Sequence, residues 1–189
     1  MGTRLVLVSH APTAATRAAA FPDDEPLDER GLAGASAATG VFRRVAAAYS
    51  SPARRCVQTA AALGLEPEIV AALRDGDVGR WAGRTLAEVE AAAPDAVAAW
   101  LTDPVAAPHG GESVVELLTR AREWLDELPA VTGTIVAVTH PSVIRAAVVG
   151  VLASPPASFW RVDVVPLRQT VLTGGPGRWT LRATGLPIG

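Results

Sequence analysis

Lysine and asparagine are both absent from the sequence, and all 17 basic residues are arginine. The absence of lysine excludes a P-loop lysine, a Schiff-base lysine and a serine–lysine dyad from the chemistry of this chain. Because the chain is also very rich in alanine, genomic composition accounts for the bias toward arginine. That bias therefore indicates no function by itself.

Cysteine is nearly absent as well, since Cys56 is the single one. One cysteine excludes an internal disulfide and favours a reducing compartment, so we expect the protein to be cytoplasmic. The three histidines and the cysteine are widely separated in the sequence, so their spacing predicts no metal site.

Long apolar runs and an excess of charge of either sign are also missing. The longest apolar stretches, residues 134–139 and 143–152, are too short to cross a bilayer, and no apolar leader precedes the first predicted strand. A net charge of −2 gives no electrostatic reason to expect nucleic acid or an anionic membrane as a partner. A chain of 189 residues with 49% hydrophobic residues is expected to fold as one domain, residues 1–189.

Apolar runs and helical periods alternate along the chain. Strands are predicted over residues 4–8, 46–50, 67–73, 134–138, 161–165, 169–173 and 179–183, the last two as a hairpin. Helices are predicted over residues 28–48, 51–63, 85–93, 94–101, 114–128 and 143–152. This alternation predicts an α/β fold, a three-layer α/β/α sandwich with a mostly parallel central sheet.

Two of the three histidines directly follow a buried strand. His10 comes after the first strand and His140 after the strand over residues 134–138, whereas His109 lies in a loop rich in proline and glycine. Ligands of open α/β sheets bind beyond the carboxyl ends of the strands. We therefore expect His10 and His140 to face each other across one pocket, although a histidine at a random position is more often structural.

A pair of arginines, Arg54 and Arg55, lies near the start of the helix predicted over residues 51–63. Helix N-termini favour anions, and the planar guanidinium offers a fork of donors that fits phosphate oxygens. Taken alone, such a pair is more often only a solvated charge on a helix surface.

Five segments, in order, resemble the signatures of the histidine phosphatase superfamily, which includes the phosphoglycerate mutases. Residues 9–13, Ser-His-Ala-Pro-Thr, resemble the family's Arg-His-Gly-x-Thr, and residues 51–60 resemble its Ser-x-x-x-Arg-Ala-x-Gln-Thr-Ala segment. Residues 73–83 are similar to Leu-Arg-Glu-x-x-x-Gly-x-Trp-Glu-Gly, residues 111–113 to Gly-Glu-Ser, and residues 138–140 to the segment of the late histidine. Each segment alone is weak evidence, whereas the ordered set is strong.

This resemblance implies a cofactor-independent phosphomonoester hydrolase of the compact phosphatase branch, with neither metal nor organic cofactor. Its expected ligand is a small phosphorylated metabolite or inorganic phosphate. It implies that His10 is the nucleophile that becomes phosphohistidine, and that His140 and Arg55 stabilise the phosphoryl oxygens. Ser9 and Thr13 belong to the implied phosphate-binding set.

The implied proton donor is a carboxylic acid. Asp75 stands where the family has a glutamate, which is one methylene longer, and Asp77 is the second choice. For both residues, a solvated loop carboxylate is the simpler alternative.

The largest departure from the family pattern is Ser9, which stands where the family has a phosphate-binding arginine. A serine hydroxyl offers one donor and no charge, and losing a charge-assisted contact costs roughly 1.5–3 kcal/mol. We expect Arg17, seven residues after His10, to supply the missing charge. The alternative is that Arg17 is a surface residue and the site is weakened. Pro141 and Ala11 also stand near the histidines where the family favours glycine.

Three functions therefore remain open. The first is a phosphatase. The second is a weakened family member that binds a phosphorylated ligand or a protein partner without turnover. The third is a phosphotransferase of the mutase type, which a chain of 189 residues fits less well. The five tryptophans are interpreted as packing residues rather than as surfaces for a substrate.

Overall fold

The computed structural model describes residues 2–188. Within them, six strands form one sheet: β1 (Thr3–Ser9), β2 (Val45–Ser50), β3 (Glu68–Ile69), β4 (Gly133–Thr139), β5 (Arg168–Gly174) and β6 (Thr180–Pro187). The α-helices of this part are α1 (Ala14–Arg17), α2 (Glu29–Ser36), α3 (Arg54–Ala62), α4 (Leu86–Ala92), α5 (Pro94–Thr102), α6 (Val114–Glu127) and α7 (Pro141–Val151). None of these helices is both long and apolar enough to cross a membrane.

The sheet has the order β3-β2-β4-β1-β5-β6, and β5 alone runs against its neighbours. The prediction of an α/β fold with a mostly parallel sheet is therefore confirmed. β1 pairs with β4 in a register that sets Ser9 opposite Thr139, and the His10 amide donates to the Thr139 carbonyl at 2.9 Å. The residue that comes after each strand, His10 or His140, is thereby brought to the same edge of the sheet.

Helices cover both faces of the sheet. On one face, alternate strand residues pack against α6 and α7: Leu5, Leu7, Ile135 and Ala137. On the other face, the intervening residues pack against α3: Val6, Val8, Val136 and Val138. Because β1 and β4 are buried on both faces, they read as continuous apolar runs rather than as alternating patterns.

Three sequence predictions of secondary structure are wrong. The strand predicted over residues 67–73 is limited to Glu68–Ile69, and Ala71–Leu73 form a 3-10 turn. The helix predicted over residues 28–48 ends at Ser36, and its last residues join the sheet as β2. Gly40 lies between them with a φ of 76°, a left-handed conformation that an α-helix does not allow. Residues 161–165 form no strand and come after a 3-10 turn, Pro156–Arg161. Pro155 and Pro156 start this turn and Pro166 follows residue 165, and a proline lacks the N–H group that a strand ladder needs.

A buried ion pair fixes the loop that leads to Asp75. Arg120 on α6 donates from Nε and Nη2 to the two carboxylate oxygens of Glu112, at 2.8 and 2.6 Å. The same guanidinium donates from Nη1 to the main-chain carbonyls of Ala72 and Arg74, at 2.6 and 2.9 Å. Glu112 of the Gly-Glu-Ser segment is therefore a structural residue that orients an arginine toward the loop backbone.

We expect Arg120→Ala to lower the free energy of unfolding by about 2–4 kcal/mol, because it removes the two-point partner of the Glu112 carboxylate, leaving only Arg74 at 3.6 Å, and the donor to the Ala72 and Arg74 carbonyls. Urea denaturation measures this change. Arg122→Ala is the matched control, since Arg122 is exposed on the same helix, and it is expected to stay within about 0.5 kcal/mol of the parent chain. Equal effects of the two substitutions would contradict the structural role of Arg120.

Candidate active site

His10 is held at the end of β1 with one ring nitrogen free. Its side chain is 5% exposed, and Nδ1 lies 2.7 Å from the carbonyl oxygen of Ala11. A carbonyl oxygen only accepts, so Nδ1 carries the proton and Nε2 keeps its lone pair. Thr59 on α3 fixes this turn, because its hydroxyl accepts from the Ala11 amide at 3.0 Å and donates to the Arg55 carbonyl at 2.6 Å.

His140 is fully buried at the start of α7, and its ring centroid lies 5.3 Å from that of His10. The structure thus brings the two histidines together as the sequence predicts. Nε2 of His140 lies 2.7 Å from the hydroxyl of Ser51. The serine–proline pair at residues 51 and 52 is typical of a helix start, but α3 begins at Arg54 and its N-cap, Ala53, makes no side-chain cap bond.

Asp75 lies between Arg55 and His140. Its Oδ2 lies 2.8 Å from Arg55 Nη2 and 3.2 Å from His140 Nδ1. Its Oδ1 accepts a 2.5 Å hydrogen bond from Ser142 and a 2.9 Å bond from the Gly76 amide. Nδ1 of His140 lies 3.2 Å from both Asp75 Oδ2 and Arg55 Nη2, and the negative charge of the carboxylate favours a proton on Nδ1. In its neutral form, His140 then accepts a hydrogen bond from the Ser51 hydroxyl at Nε2.

Burial and these contacts set the protonation states of His10 and Asp75. Burial, followed by the neighbouring His140, lowers the pKa of His10 from 6.5 to about 4, so its imidazole is neutral near pH 7. Burial raises the pKa of Asp75. The charge and hydrogen bond of His140, together with Arg55 and Ser142, lower it by more, so the pKa lies well below its usual range. The site therefore holds a neutral His10 imidazole near an ionised Asp75 carboxylate.

The other predicted phosphate ligands are less directly placed. Ser9 is fully buried, and its hydroxyl has no hydrogen-bond partner within the described residues. The Thr13 hydroxyl caps α1 and donates to Glu25 Oε1 at 2.8 Å. Arg17 is 44% exposed and is paired with Asp28, the N-cap residue of α2. The structure does not bring the Arg17 guanidinium into the cavity beside His10.

The second candidate for proton donor, Asp77, also lines the cavity. Its Oδ1 accepts from the Gly79 amide at 2.8 Å, and the residue is exposed. Asp75 contacts Arg55 and His140 directly, whereas no such contact is made by Asp77 within residues 2–188.

Several residues of the site are not predicted by the sequence motifs. Ser51 and Ser142 contact His140 and Asp75, and Glu25 lies 3.9 Å from Arg55 Nη1. Arg145 on α7 lines the same cavity as His10 and Asp75. Arg145 is the one charged residue in the otherwise apolar α7. This isolated charge is the sequence feature that could have identified it as a residue of the site.

Cys56, the residue after Arg55, packs against His140. Its Sγ lies 3.5 Å from Nε2, and the residue is fully buried. Burial raises the pKa of the thiol well above its usual range. The side chain is therefore a neutral packing group beside the imidazole rather than a nucleophile.

Fold and site together define an α/β protein with two histidines at the carboxyl ends of adjacent parallel strands. The sequence pattern of the histidine phosphatase superfamily (branch 1) matches residues 5–186, so the chain belongs to this superfamily. The family resemblance noted from the motifs is thereby confirmed.

Similar proteins include mycobacterial phosphatases. Glucosyl-3-phosphoglycerate phosphatase of Mycobacterium tuberculosis (strain ATCC 25618 / H37Rv) is 38% identical over 136 residues, 67% of this chain and 60% of the relative. The chain thus spans about three-fifths of the length of the curated relative that it matches. The solved structure of mycobacterial glucosyl-3-phosphoglycerate phosphatase with VO3 is 32% identical, with a TM-score of 0.87 over 97% of this chain and 98% of that one. Its complex with inorganic phosphate is 31% identical, with a TM-score of 0.84 over 98% of each chain.

We expect the His10 imidazole to titrate near pH 4 rather than near its ordinary 6.5. NMR titration of the ring resonances measures this, and the spectrum of His10→Ala assigns the signal. Between these two pH values the unfolded chain binds a proton that the folded chain does not, so stability falls as the pH is lowered from 6.5 toward 4. A His10 titration midpoint at its ordinary value would contradict a buried, uncharged His10 imidazole.

Proposed function

We propose that the chain is a cofactor-independent phosphomonoester hydrolase that acts on a small phosphorylated metabolite through a phosphohistidine at His10. The observation that carries the proposal is the fixed tautomer of His10, which leaves Nε2 unprotonated beside the buried Arg55 and His140. Membership of the superfamily supports the same reaction class. Glucosyl-3-phosphoglycerate, named for the relatives, is the substrate against which other phosphomonoesters are to be compared.

In the proposed phosphate site, the ligand uses the same hydrogen-bond donors that contact Asp75 in the structure. Arg55 Nη2 and His140 Nδ1 are the donors suited to phosphoryl oxygens, and both face the Asp75 carboxylate. Arg55 Nε is buried without a hydrogen-bond partner in the described residues, and it is a further donor available to a ligand. Phosphate therefore binds by taking these donors from Asp75.

This exchange converts Asp75 into an acid. Once phosphoryl oxygens occupy Arg55 and His140, Asp75 loses the contacts that lower its pKa and gains a negative neighbour that raises it. Asp75 takes up a proton from solvent as the ester binds. His10 Nε2 then attacks phosphorus, the bond from phosphorus to the ester oxygen breaks, and Asp75 transfers its proton to the departing alkoxide. In the second half, the Asp75 carboxylate takes a proton from water, whose oxygen attacks the phosphohistidine and releases phosphate and neutral His10.

One observation favours the second candidate function, a phosphate-ligand binder without turnover. Ser9 carries no charge, and Arg55 lies close to two carboxylates, those of Asp75 and Glu25. Arg17 adds a positive charge only if it leaves Asp28 for the ligand. The transferase of the mutase type has no comparable observation in its favour.

The proposal also includes independence of metal ions and a cytoplasmic location. The chemistry above needs only side chains and water. The single cysteine supports the location, since it needs no oxidising compartment.

Trapping the intermediate tests this function. A phosphomonoester carrying radioactive phosphate, mixed with the protein and quenched in denaturing alkali, is expected to leave label on the parent chain and none on His10→Ala. Arg122→Ala, which alters an exposed residue of α6 outside the cavity, is the control and keeps the label. EDTA is expected to change neither label nor turnover. Label on His10→Ala would overturn the assignment, whereas absence of both label and turnover in the parent chain favours the binder.

Asp75→Asn separates proton donation from the other roles of the site. We expect it to lower kcat for an alkyl phosphate by ~100-fold or more, since general acid catalysis contributes about 10²–10⁴-fold. p-Nitrophenyl phosphate releases a phenolate that needs no proton, so its kcat falls much less. Asp77→Asn is the matched control and keeps both rates close to those of the parent chain. An equal loss on both substrates in Asp75→Asn would refute proton donation by Asp75.

A further inference from the structure

The cavity that begins at His10 extends far beyond the space for a phosphate group. Its volume is about 530 Å³. The reacting end carries His10, Arg55 and Asp75. The remaining volume must receive the alcohol portion of the substrate, so the side chains around it set which alcohols fit.

An aromatic series lines this remaining volume, and we call it the aromatic wall: Phe21, Trp100, Trp160 and Phe159. Successive ring centroids lie 5.5, 4.5 and 4.9 Å apart, with neighbouring rings edge to face. Trp100 and Trp160 are half-buried and line the cavity, so two of the five tryptophans do more than pack the core. Aliphatic side chains complete the lining: Leu86, Val114, Leu117 and Val164.

Hydroxyl groups around the cavity are already engaged within the protein. The Thr16 hydroxyl lies 3.1 Å from that of Thr13, Ser113 donates to Glu116 at 2.7 Å, and Ser142 donates to Asp75. His109 accepts from the Gly111 amide at Nδ1 and thus offers one N–H from Nε2. A polyhydroxylated alcohol needs a partner for each hydroxyl, and apart from the Glu25 and Asp77 carboxylates the lining offers few. A hydroxyl buried without a partner weakens binding.

Charged groups of the cavity disfavour a second anionic group on the substrate. Beyond the reacting end, Arg145 is the one cation among the lining residues that the structure describes. It already donates to the Val162 carbonyl at 2.8 Å and lies 5.6 Å from the ring of Trp160. Carboxylates of Glu25 and Asp77 line the same cavity and repel a carboxylate on the ligand, whereas the charge of Glu112 is paired with Arg120.

We propose that this site selects phosphomonoesters of uncharged, hydrophobic alcohols over those of hydroxylated or carboxylated ones, with the aromatic wall holding the alcohol. This inference rests on the proposed function, because it assigns the leaving group of that same reaction. The driving force is burial of apolar surface, worth roughly fourfold in binding per methylene.

A matched pair of substrates tests the selection. Cyclohexylmethyl phosphate and glucose 6-phosphate each carry a six-membered ring on a primary phosphate ester, and they differ in the hydroxyl groups and ring oxygen. We expect kcat/KM for cyclohexylmethyl phosphate to exceed that for glucose 6-phosphate by at least ~10-fold, and 3-phosphoglycerate to rank below both. Equal values, or a preference for either polar ester, would overturn the inference.

Substitution of the aromatic wall identifies its contribution. Trp160→Ala is expected to lower kcat/KM for cyclohexylmethyl phosphate by ~10-fold while changing that for glucose 6-phosphate by less than ~3-fold. Trp179→Ala is the matched control, since Trp179 is half-buried away from this cavity, and both substrates are expected to keep their rates. Thermal melts of both variants check folding. A proportionate loss on the two substrates in Trp160→Ala would contradict a role in selection.

Binding measurements keep the two proposals separate. Calorimetry on His10→Ala, which cannot form the phosphohistidine, compares affinities for the same pair of esters. If no ester is hydrolysed in a His10-dependent manner, the proposed function fails, and tighter binding of cyclohexylmethyl phosphate still supports the aromatic wall. If hydrolysis occurs but glucose 6-phosphate binds as tightly, the function stands and this inference fails.

Discussion

The carboxylate of Asp75 is the group on which the site depends. A buried guanidinium without a counter-charge is strongly destabilising, and Asp75 supplies that counter-charge to Arg55 while it also accepts from His140. The positive charge of Arg55 is therefore balanced by a side chain of the site itself. Under the proposed function, a phosphorylated ligand binds by displacing Asp75 from Arg55 and His140. The free energy of phosphate binding is then the difference between the contacts made to the ligand and those lost by Asp75, so the affinity is lower than the new contacts alone would give. In the proposed mechanism, the same exchange raises the pKa of Asp75 and allows it to donate a proton.

Separate elements hold the two halves of this arrangement. Thr59 connects the turn after His10 to α3, and Ser51 contacts His140 from the segment before the same helix. From the other face of the sheet, Arg120 on α6 holds the loop that carries Asp75 by its main-chain carbonyls. The strand register of β1 and β4 positions the two imidazoles. The geometry of the site is thus fixed largely by backbone contacts.

The path of the chain made the position of the two histidines predictable from the sequence. Two continuous apolar strands, each ending at a histidine, place His10 and His140 at one edge of the sheet. The pattern of elements could not predict which side-chain atoms meet across segments far apart in sequence. Ser51 looks like a helix cap because of the proline after it, yet its hydroxyl contacts an imidazole 89 residues away. Arg17 looked suitable for phosphate by spacing, but a nearby helix cap, Asp28, competes for it.

The fully buried Cys56 lies where the His140 imidazole, the α3 N-terminus and the sheet meet. A thiol in this position is shielded from reagents in water for as long as these three parts stay packed together. Because the chain has no other cysteine, alkylation of the native protein proceeds only through openings of this region. The rate of thiol labelling therefore reports how often the packing around Cys56 and His140 opens.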